Sequence, residues 1–147
     1  MGSWVALNLF PNFKKQIKGF IGIASAPEFL EKLMWSKFDK KIKKIILTKK
    51  IYYLEVGEHT YPITKQLIFD GRKNKILNNK INLKIPITLL HGTRDDVVPL
   101  NFSKKIMKVC KKSIKKLIKI KNGDHSLSRR SDLKKICNEL DSIIKIK

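Results

Sequence analysis

The sequence has no long uninterrupted apolar segment. Nothing in its 147 residues approaches the roughly 18 to 20 consecutive apolar residues that a membrane-spanning helix needs. The amino terminus also lacks the basic region, apolar run and small-residue cleavage site of a secretory signal. These absences argue against a membrane span and against secretion. We therefore predict a cytoplasmic protein.

Cysteine is scarce, and only Cys110 and Cys137 occur. Both fall in apolar patterns of helical spacing, so we expect two buried free thiols and no disulfide. No pair of His or Cys residues has the spacing of a metal site. A phosphate-binding glycine loop and a dinucleotide fingerprint are also missing. The sequence therefore predicts no metal and no cofactor.

Acidic residues are few, because 12 Asp and Glu stand beside 33 Lys and Arg and the formal net charge is +21. Such a charge attracts phosphates, so one hypothesis is a non-catalytic basic module that binds nucleic acid or an acidic partner. However, nearly all basic residues are Lys, dispersed among Ile and Leu as from Lys40 to Ile46. That pattern is typical of a solvated face beside a buried stripe. Lys, Ile and Asn also share A/T-rich codons, so we expect no specific nucleic-acid partner.

Apolar periodicity predicts helices and strands that alternate in the first and last parts of the chain but not in its central segment. After Pro27 the alternation stops until about residue 80, which indicates an insertion. The alternation favours an α/β fold with a parallel sheet flanked by helices. The expected elements are a helix over 3–13, a strand over 19–25, helices over 28–35 and 38–49, a β-like run over 51–56, a helix over 63–77, a strand over 85–90, a helix over 101–113, a strand over 117–121 and a helix over 131–145.

Two polar segments follow predicted strands. Asp95 and Asp96 come after the strand at 85–90, and His125 comes after the strand at 117–121. Polar sites in parallel α/β sheets collect at the carboxyl ends of the strands. A histidine acts as a general base when a carboxylate holds its tautomer. We predict that Asp95 and His125 form such a catalytic pair, and Asp96 stays open as the alternative acid.

The other chemically useful side chains receive weaker assignments. His91 precedes a glycine at a strand end, where we expect its imidazole to satisfy backbone groups of the loop. His59 is predicted to be a surface or lid residue. Three serine hydroxyls are candidates, but none occupies the strained, glycine-flanked turn between a strand and a helix that a nucleophilic serine needs. These serines are Ser3, Ser126 and Ser128.

Several motifs occur in an order that resembles one family. They are Met1-Gly2-Ser3-Trp4-Val5-Ala6-Leu7, Gly22-Ile23-Ala24-Ser25-Ala26-Pro27-Glu28-Phe29, Leu33-Met34-Trp35, Tyr61-Pro62-Ile63-Thr64 with Asp70-Gly71-Arg72, Leu90-His91-Gly92 with Asp95 and Val98-Pro99, and Gly123-Asp124-His125-Ser126-Leu127-Ser128-Arg129. The chain resembles the small serine hydrolases of the α/β-hydrolase fold that are related to mitochondrial palmitoyl-protein thioesterase and its bacterial homologues. The resemblance covers essentially the whole chain.

The resemblance implies that residues 1–147 are a partial domain, the carboxy-terminal part of an α/β-hydrolase fold, with a helical cap-like insertion at about 28–80. Asp95 and His125 match the acid and the base of the triad, and Met1 matches the residue whose N–H is an oxyanion-hole donor. The nucleophilic serine would lie before Met1. The implied acyl pocket is lined by residues for which a role in the hydrophobic core is equally open, namely Phe29, Leu33, Met34 and Trp35.

These observations predict a serine hydrolase that cleaves carboxylic esters or thioesters through an acyl-enzyme. Its substrate would be a small acyl ester or thioester, with an acylated protein as a second candidate. We expect the activity of the parent protein and not of this chain alone, because the nucleophile is missing. The alternatives are the basic module described above and an inactive fragment. The oligomeric state is not predicted.

Overall fold

The chain folds into two structural units, one formed by the alternating parts of the sequence and one by its central segment. A computed structural model describes residues 1–82 and 84–145. Met1–Pro27 and Ile76–Lys147 form one unit, here called the sheet unit, and Glu28–Lys75 forms the other, here called the insert unit. The sequence predicted an insertion over about 28–80, and its role as a cap stays a prediction.

Helices and strands alternate along most of the chain. In chain order they are α1 (Gly2–Leu9), β1 (Phe20–Ile23), α2 (Lys40–Lys49), β2 (Ile51–Val56), β3 (His59–Thr64), α3 (Lys65–Lys73), β4 (Pro86–Gly92), α4 (Asn101–Val109), β5 (Ile114–Ile120) and α5 (Arg130–Ile144). A π-helical turn at Leu30–Met34 and a 3-10 turn at Trp35–Lys37 precede α2. Among the described residues, no helix combines the length and apolar character needed to cross a bilayer.

The sheet unit contains a parallel sheet in the strand order β1-β4-β5. The middle strand β4 pairs with β1 through Gly22 and Leu89, and with β5 through Leu90 and Ile118. Nearly all of β4 is buried, as expected for a parallel strand that is covered on both faces. Helices α4 and α5 contact this sheet. The predicted α/β class with a parallel sheet flanked by helices is confirmed.

A small apolar cluster supports the carboxyl end of the sheet. Leu90 from β4, Ile120 from β5 and Leu127 from the following loop are buried together, and Ile136 of α5 packs against them. Leu127 is fully buried although its φ of 47° lies in the left-handed region. Burial of its side chain offsets the local strain of that conformation. The loop after β5 is therefore anchored in the core.

The insert unit is built from short elements with identifiable ends. Asp39 caps α2 by accepting the N–H of Ile42 at 2.7 Å, and Thr64 caps α3 by accepting the N–H of Leu67 at 3.0 Å. Strands β2 and β3 form an antiparallel hairpin. Gly57 lies in its turn with a φ of 59°, a conformation that favours glycine.

Two sequence predictions in the insert unit are wrong in their boundaries. The helix predicted over 28–35 is the π-helical turn followed by the 3-10 turn. The helix predicted over 63–77 starts only at Lys65, because β3 occupies the preceding residues. The sequence analysis missed this strand because it contains Pro62, and proline cannot donate a hydrogen bond to a neighbouring strand. It is tolerated here because β3 has one pairing partner in a two-stranded sheet.

The two cysteines differ from each other in exposure. Cys110, which follows α4, is buried as predicted, and its burial raises the pKa of the thiol to about 11. Cys137 in α5 is exposed, so the prediction of a buried thiol is wrong there. The apolar face on which that prediction depended is only partly covered, because Leu133, Leu140 and Ile144 are exposed. Both cysteines are free thiols.

Candidate active site

Asp95 lies in the loop that follows β4, and its carboxylate is held by the backbone of its own loop. Its Oδ1 accepts the N–H of Val97 at 3.0 Å and the N–H of Val98 at 2.8 Å. Hydrogen bonds of an aspartate to backbone amides two and three residues ahead close a tight turn. The side chain is only 1% exposed. The turn therefore fixes the direction in which Oδ2 points.

His125 meets that second oxygen. Its Nδ1 lies 3.0 Å from Oδ2 of Asp95, while the imidazole is 41% exposed. A carboxylate oxygen can only accept a hydrogen bond, so Nδ1 carries the proton and, in the neutral ring, Nε2 keeps its lone pair. This is the arrangement that a general base needs. Asp96 is exposed, and the structure brings Asp95 rather than Asp96 to His125.

The environment keeps the Asp95 carboxyl ionised. Burial alone would raise its pKa, but the hydrogen bond from the Val98 N–H, the hydrogen bond and charge of His125 and the Val97 N–H together outweigh burial. The pKa of Asp95 is therefore lowered from its ordinary value. A carboxylate that is ionised at neutral pH can stabilise a positive charge that develops on His125 during proton transfer.

Close backbone packing brings the loops after β4 and β5 together. A Cβ on Gly92 would collide with the carbonyl oxygens of Gly123 and Asp124, so only glycine permits this approach. The N–H of Arg94 donates to the Gly123 carbonyl at 2.8 Å. The N–H of Asn122 donates to Oγ1 of Thr93 at 2.8 Å. These contacts fix the spacing between the two loops that present Asp95 and His125.

The loop after β5 is also closed on itself. Asp124 accepts the N–H of Leu127 through Oδ1 at 2.9 Å, which turns the chain around His125. Arg129 binds both carboxylate oxygens of Asp132 at 2.7 and 2.9 Å and donates to the Lys121 carbonyl at 3.2 Å. Bidentate pairs of this kind hold the guanidinium plane in one orientation. The loop therefore has a fixed beginning and a fixed end.

His91 lies behind the pair and is fully buried. Its Nε2 is 2.8 Å from the Val98 carbonyl, in line with the expectation that it satisfies a loop backbone group. Its Nδ1 is 2.8 Å from Oγ of Ser103 in α4. The same Nε2 lies 3.4 Å from Oδ2 of Asp95. The sequence analysis did not single out Ser103, although a serine among the apolar positions of α4 was the available signal.

The remaining candidates of the sheet unit lie outside this pair. Met1 is exposed, and its carbonyl accepts the N–H of Trp4 at 2.9 Å at the start of α1. Its role as an oxyanion-hole donor stays a prediction. Ser3 contacts Ser25, with 2.9 Å between the two hydroxyl oxygens. Ser126 and Ser128 are exposed.

The residues predicted to line an acyl pocket belong to the insert unit. All four are half-buried, namely Phe29, Leu33, Met34 and Trp35. The Trp35 ring contacts two cations, with the Arg72 guanidinium 4.9 Å and the Lys43 ammonium 5.9 Å from its centroid. Arg72 also pairs with Glu31 at 2.7 Å. The role of the four residues as pocket lining stays a prediction, as does the surface role of His59, which is exposed.

Within the described residues, neither a metal cluster nor either of two cavities includes the pair. The described ranges contain no group of three or more His, Cys, Asp or Glu residues placed to hold a metal ion. A cavity of about 310 Å³ in the sheet unit is lined by residues of 7–14 and 76–82. A more open one of about 680 Å³ in the insert unit is lined by Lys50, Lys65, Phe69, Lys73 and their neighbours. Neither lining contains Asp95 or His125.

Comparison with known proteins identifies the family. The profile described as Phospholipase/Carboxylesterase, which belongs to the α/β-hydrolase fold, matches residues 69–144. The chain belongs to this family. The matched residues contain Asp95 and His125, and the resemblance stated from the sequence is confirmed at the level of family and fold.

Curated relatives agree with this assignment. The chain is 25% identical over 149 residues to palmitoyl-protein thioesterase ABHD10, mitochondrial, of Bos taurus, and the match covers 98% of the chain and 48% of the relative. The human protein of the same name is 24% identical with the same coverage. The chain therefore spans about half the length of the curated relatives it matches.

Solved structures show the same fold. A protein from Agrobacterium vitis S4 superposes with a TM-score of 0.91 and 25% identity, over 99% of this chain and 59% of that one. Alpha/beta hydrolase domain-containing protein 10 from mouse has a TM-score of 0.79 and 23% identity, over 96% and 57%. The sheet and its flanking helices thus have an α/β-hydrolase fold, of which this chain spans part.

Proposed function

We propose that this chain supplies the acid and the base of a serine hydrolase that cleaves carboxylic esters or thioesters. One observation carries the proposal: Oδ2 of Asp95 lies 3.0 Å from Nδ1 of His125 at the carboxyl end of the sheet. This contact leaves Nε2 of a partly exposed imidazole ready to accept a proton. The family and the named thioesterase relatives support the same reaction class.

The nucleophile in this proposal is a serine in the part of the relatives that this chain does not span. The sequence contains no Gly-x-Ser-x-Gly. In the longer protein, Nε2 of His125 would take the proton of the serine hydroxyl while the serine oxygen bonds to the acyl carbon and the carbonyl oxygen becomes the oxyanion. The protonated imidazole would then give that proton to the departing alkoxide or thiolate. Water would repeat the same steps on the acyl-enzyme, releasing the acid and the free serine.

Two further assignments belong to the same proposal. The N–H of Met1, as the residue after the nucleophile, would donate to the oxyanion of the tetrahedral intermediate. The apolar side chains at Phe29, Leu33, Met34 and Trp35 would contact the acyl chain of a small ester or thioester or of an acylated protein. The cytoplasmic location stays a prediction from the sequence. The relatives do not support it, since their names describe them as mitochondrial.

The test starts with the nucleotide sequence upstream of Met1. We expect a codon for serine immediately before Met1, a codon for glycine two codons before that serine, and an apolar strand before both. The extended protein should hydrolyse an activated thioester and react with a serine-directed fluorophosphonate, whereas the 147-residue chain should do neither. An upstream sequence without Gly-x-Ser in any frame, or labelling of the short chain at Ser3, would contradict the proposal.

A further inference from the structure

A continuous line of polar side chains leads from the exposed base into the interior of the sheet unit. It starts at His125 and passes through Asp95 and His91 to Ser103 in α4, with distances of 3.0, 3.4 and 2.8 Å between successive polar atoms. His91 and Ser103 have no exposed surface. The proposed mechanism uses the first two members only, so the other two need an explanation.

The partners of His91 determine where its proton lies. The Val98 carbonyl can only accept a hydrogen bond, so Nε2 of His91 carries the proton and donates to it at 2.8 Å. In the neutral ring, Nδ1 then accepts from the hydroxyl of Ser103 at 2.8 Å. Because the imidazole is fully buried, solvent does not compete with either contact. The ring is therefore held at both nitrogens.

Val98 links this ring to the carboxylate. Its N–H donates to Oδ1 of Asp95 at 2.8 Å, while its carbonyl accepts from His91. The side chain of Val98 is buried as well. Nε2 of His91 also lies 3.4 Å from Oδ2 of Asp95, the oxygen that His125 contacts. His91 thus acts on the Asp95 carboxylate through Val98, and its ring lies beside the oxygen that contacts His125.

We propose that His91 is a positioning residue for the Asp95–His125 pair, with Ser103 fixing its ring. By holding the Val98 carbonyl, His91 keeps the turn from Asp95 to Val98 closed, and the closed turn directs Oδ2 to His125. The inference deepens the proposed function, and its catalytic meaning rests on that function. The inference can be tested without measuring catalysis, because it concerns how well Asp95 holds the proton on Nδ1 of His125.

A matched pair of substitutions separates this role from simple packing. In His91→Gln the side-chain amide reaches about as far as Nε2, so an N–H remains for the Val98 carbonyl. In His91→Asn the amide reaches only as far as Nδ1, so contact with Ser103 can persist while the donor to Val98 is lost. Both variants replace a buried ring with a smaller amide, so both should lower the melting temperature. Thr88→Val, at another buried polar position of β4, is the control for lost stability alone.

The measurement uses diethyl pyrocarbonate, which modifies unprotonated imidazole nitrogens, with each histidine quantified by mass spectrometry of its peptide. The chain has 3 His residues, of which exposed His59 is an internal reference and His125 is the reporter. Fully buried His91 checks folding in the variants that keep it, and circular dichroism checks folding in the two His91 variants. The rate at His125 relative to His59 is followed across pH. The method needs no turnover and works on dilute protein, so it succeeds or fails independently of the hydrolase proposal.

We expect the pH midpoint of His125 labelling to move to lower pH by roughly 0.5 units in His91→Asn, since imidazolium loses part of its contact with the carboxylate. Asp95→Asn should move it further, by about 1 unit or more. His91→Gln, Thr88→Val and the unchanged chain should share one midpoint. Ser103→Ala should shift it in the same direction as His91→Asn but by less. Equal midpoints for His91→Asn and His91→Gln would overturn the inference, whether both variants shifted or neither did.

Discussion

At the scale of single residues, the site shows how two adjacent aspartates acquire different roles. Asp95 and Asp96 have the same charge and follow the same strand, so the sequence left both open as the acid. The structure distinguishes them through backbone hydrogen bonds: Oδ1 of Asp95 accepts two N–H groups, which leaves Oδ2 directed to His125. Asp96 is exposed. The distinction comes from the direction of backbone amides in the turn, which residue spacing does not encode.

This difference predicts unequal effects on catalysis. In the extended protein, Asp95→Asn should lower kcat on the order of 10⁴-fold, because the amide can place its NH₂ against Nδ1 and select the wrong tautomer of His125; the magnitude is that of a different triad enzyme. Asp96→Asn should stay within a few-fold of the parent. Steady-state hydrolysis of an activated thioester measures both variants. Equal losses, or a larger loss at Asp96, would show that Asp95 is not the acid.

The lowered pKa of Asp95 also predicts how stability depends on pH. Because the folded pKa lies below the unfolded one, the carboxylate contributes to the free energy of unfolding above the unfolded pKa of about 4. That contribution should be lost as the pH falls through the lowered folded pKa. Urea unfolding between about pH 6 and pH 2 should therefore show a smaller decline in Asp95→Asn than in the parent chain. Parallel curves would indicate that the carboxylate is not stabilised in the fold.

At the scale of elements, the sequence predicted most of what positions the site. Strand β2 was predicted over the residues it occupies, and β4, β5, α4 and α5 were found with shifted ends, because their apolar periodicity is strong. The start of β5 was missed because Lys115 and Lys116 occupy exposed strand positions that carry no apolar signal. The line from His91 to Ser103 was also missed. It depends on how α4 packs beside β4, which periodicity does not specify.

The contact between the loops after β4 and β5 predicts a specific sensitivity to one methyl group. In Gly92→Ala the new Cβ would collide with the carbonyl oxygens of Gly123 and Asp124. Backbone atoms cannot rotate away, so we expect a loss of roughly 1–3 kcal/mol in the free energy of unfolding. The control Gly2→Ala places its Cβ in open space on α1 and should be neutral or slightly stabilising. Denaturant unfolding of both variants measures the difference, and similar stabilities would contradict the packing argument.

At the scale of the whole molecule, the two edges of the sheet differ in how they are protected. Strand β5 carries Lys115, Lys116 and Lys119, and charged side chains discourage pairing with another strand. Strand β1, with the sequence Phe-Ile-Gly-Ile, pairs with β4 and carries no charge of its own. Apolar side chains are also exposed along α1, at Met1, Val5 and Leu9. The large net charge of +21 therefore does not protect this side of the sheet unit.

We therefore expect the purified 147-residue chain to self-associate through the β1 edge. Ile23→Lys places a charge on that edge, at a residue that is 39% exposed, and should reduce the associated fraction several-fold in sedimentation velocity. Ile114→Lys is the matched control, because it adds the same charge at an exposed position of β5, where lysines already protect the edge. If the chains associate through the β1 edge, only Ile23→Lys should reduce the associated fraction. A monomeric unsubstituted chain would contradict this assignment. Equal effects of the two substitutions would also contradict it and would favour association through the apolar residues of α1.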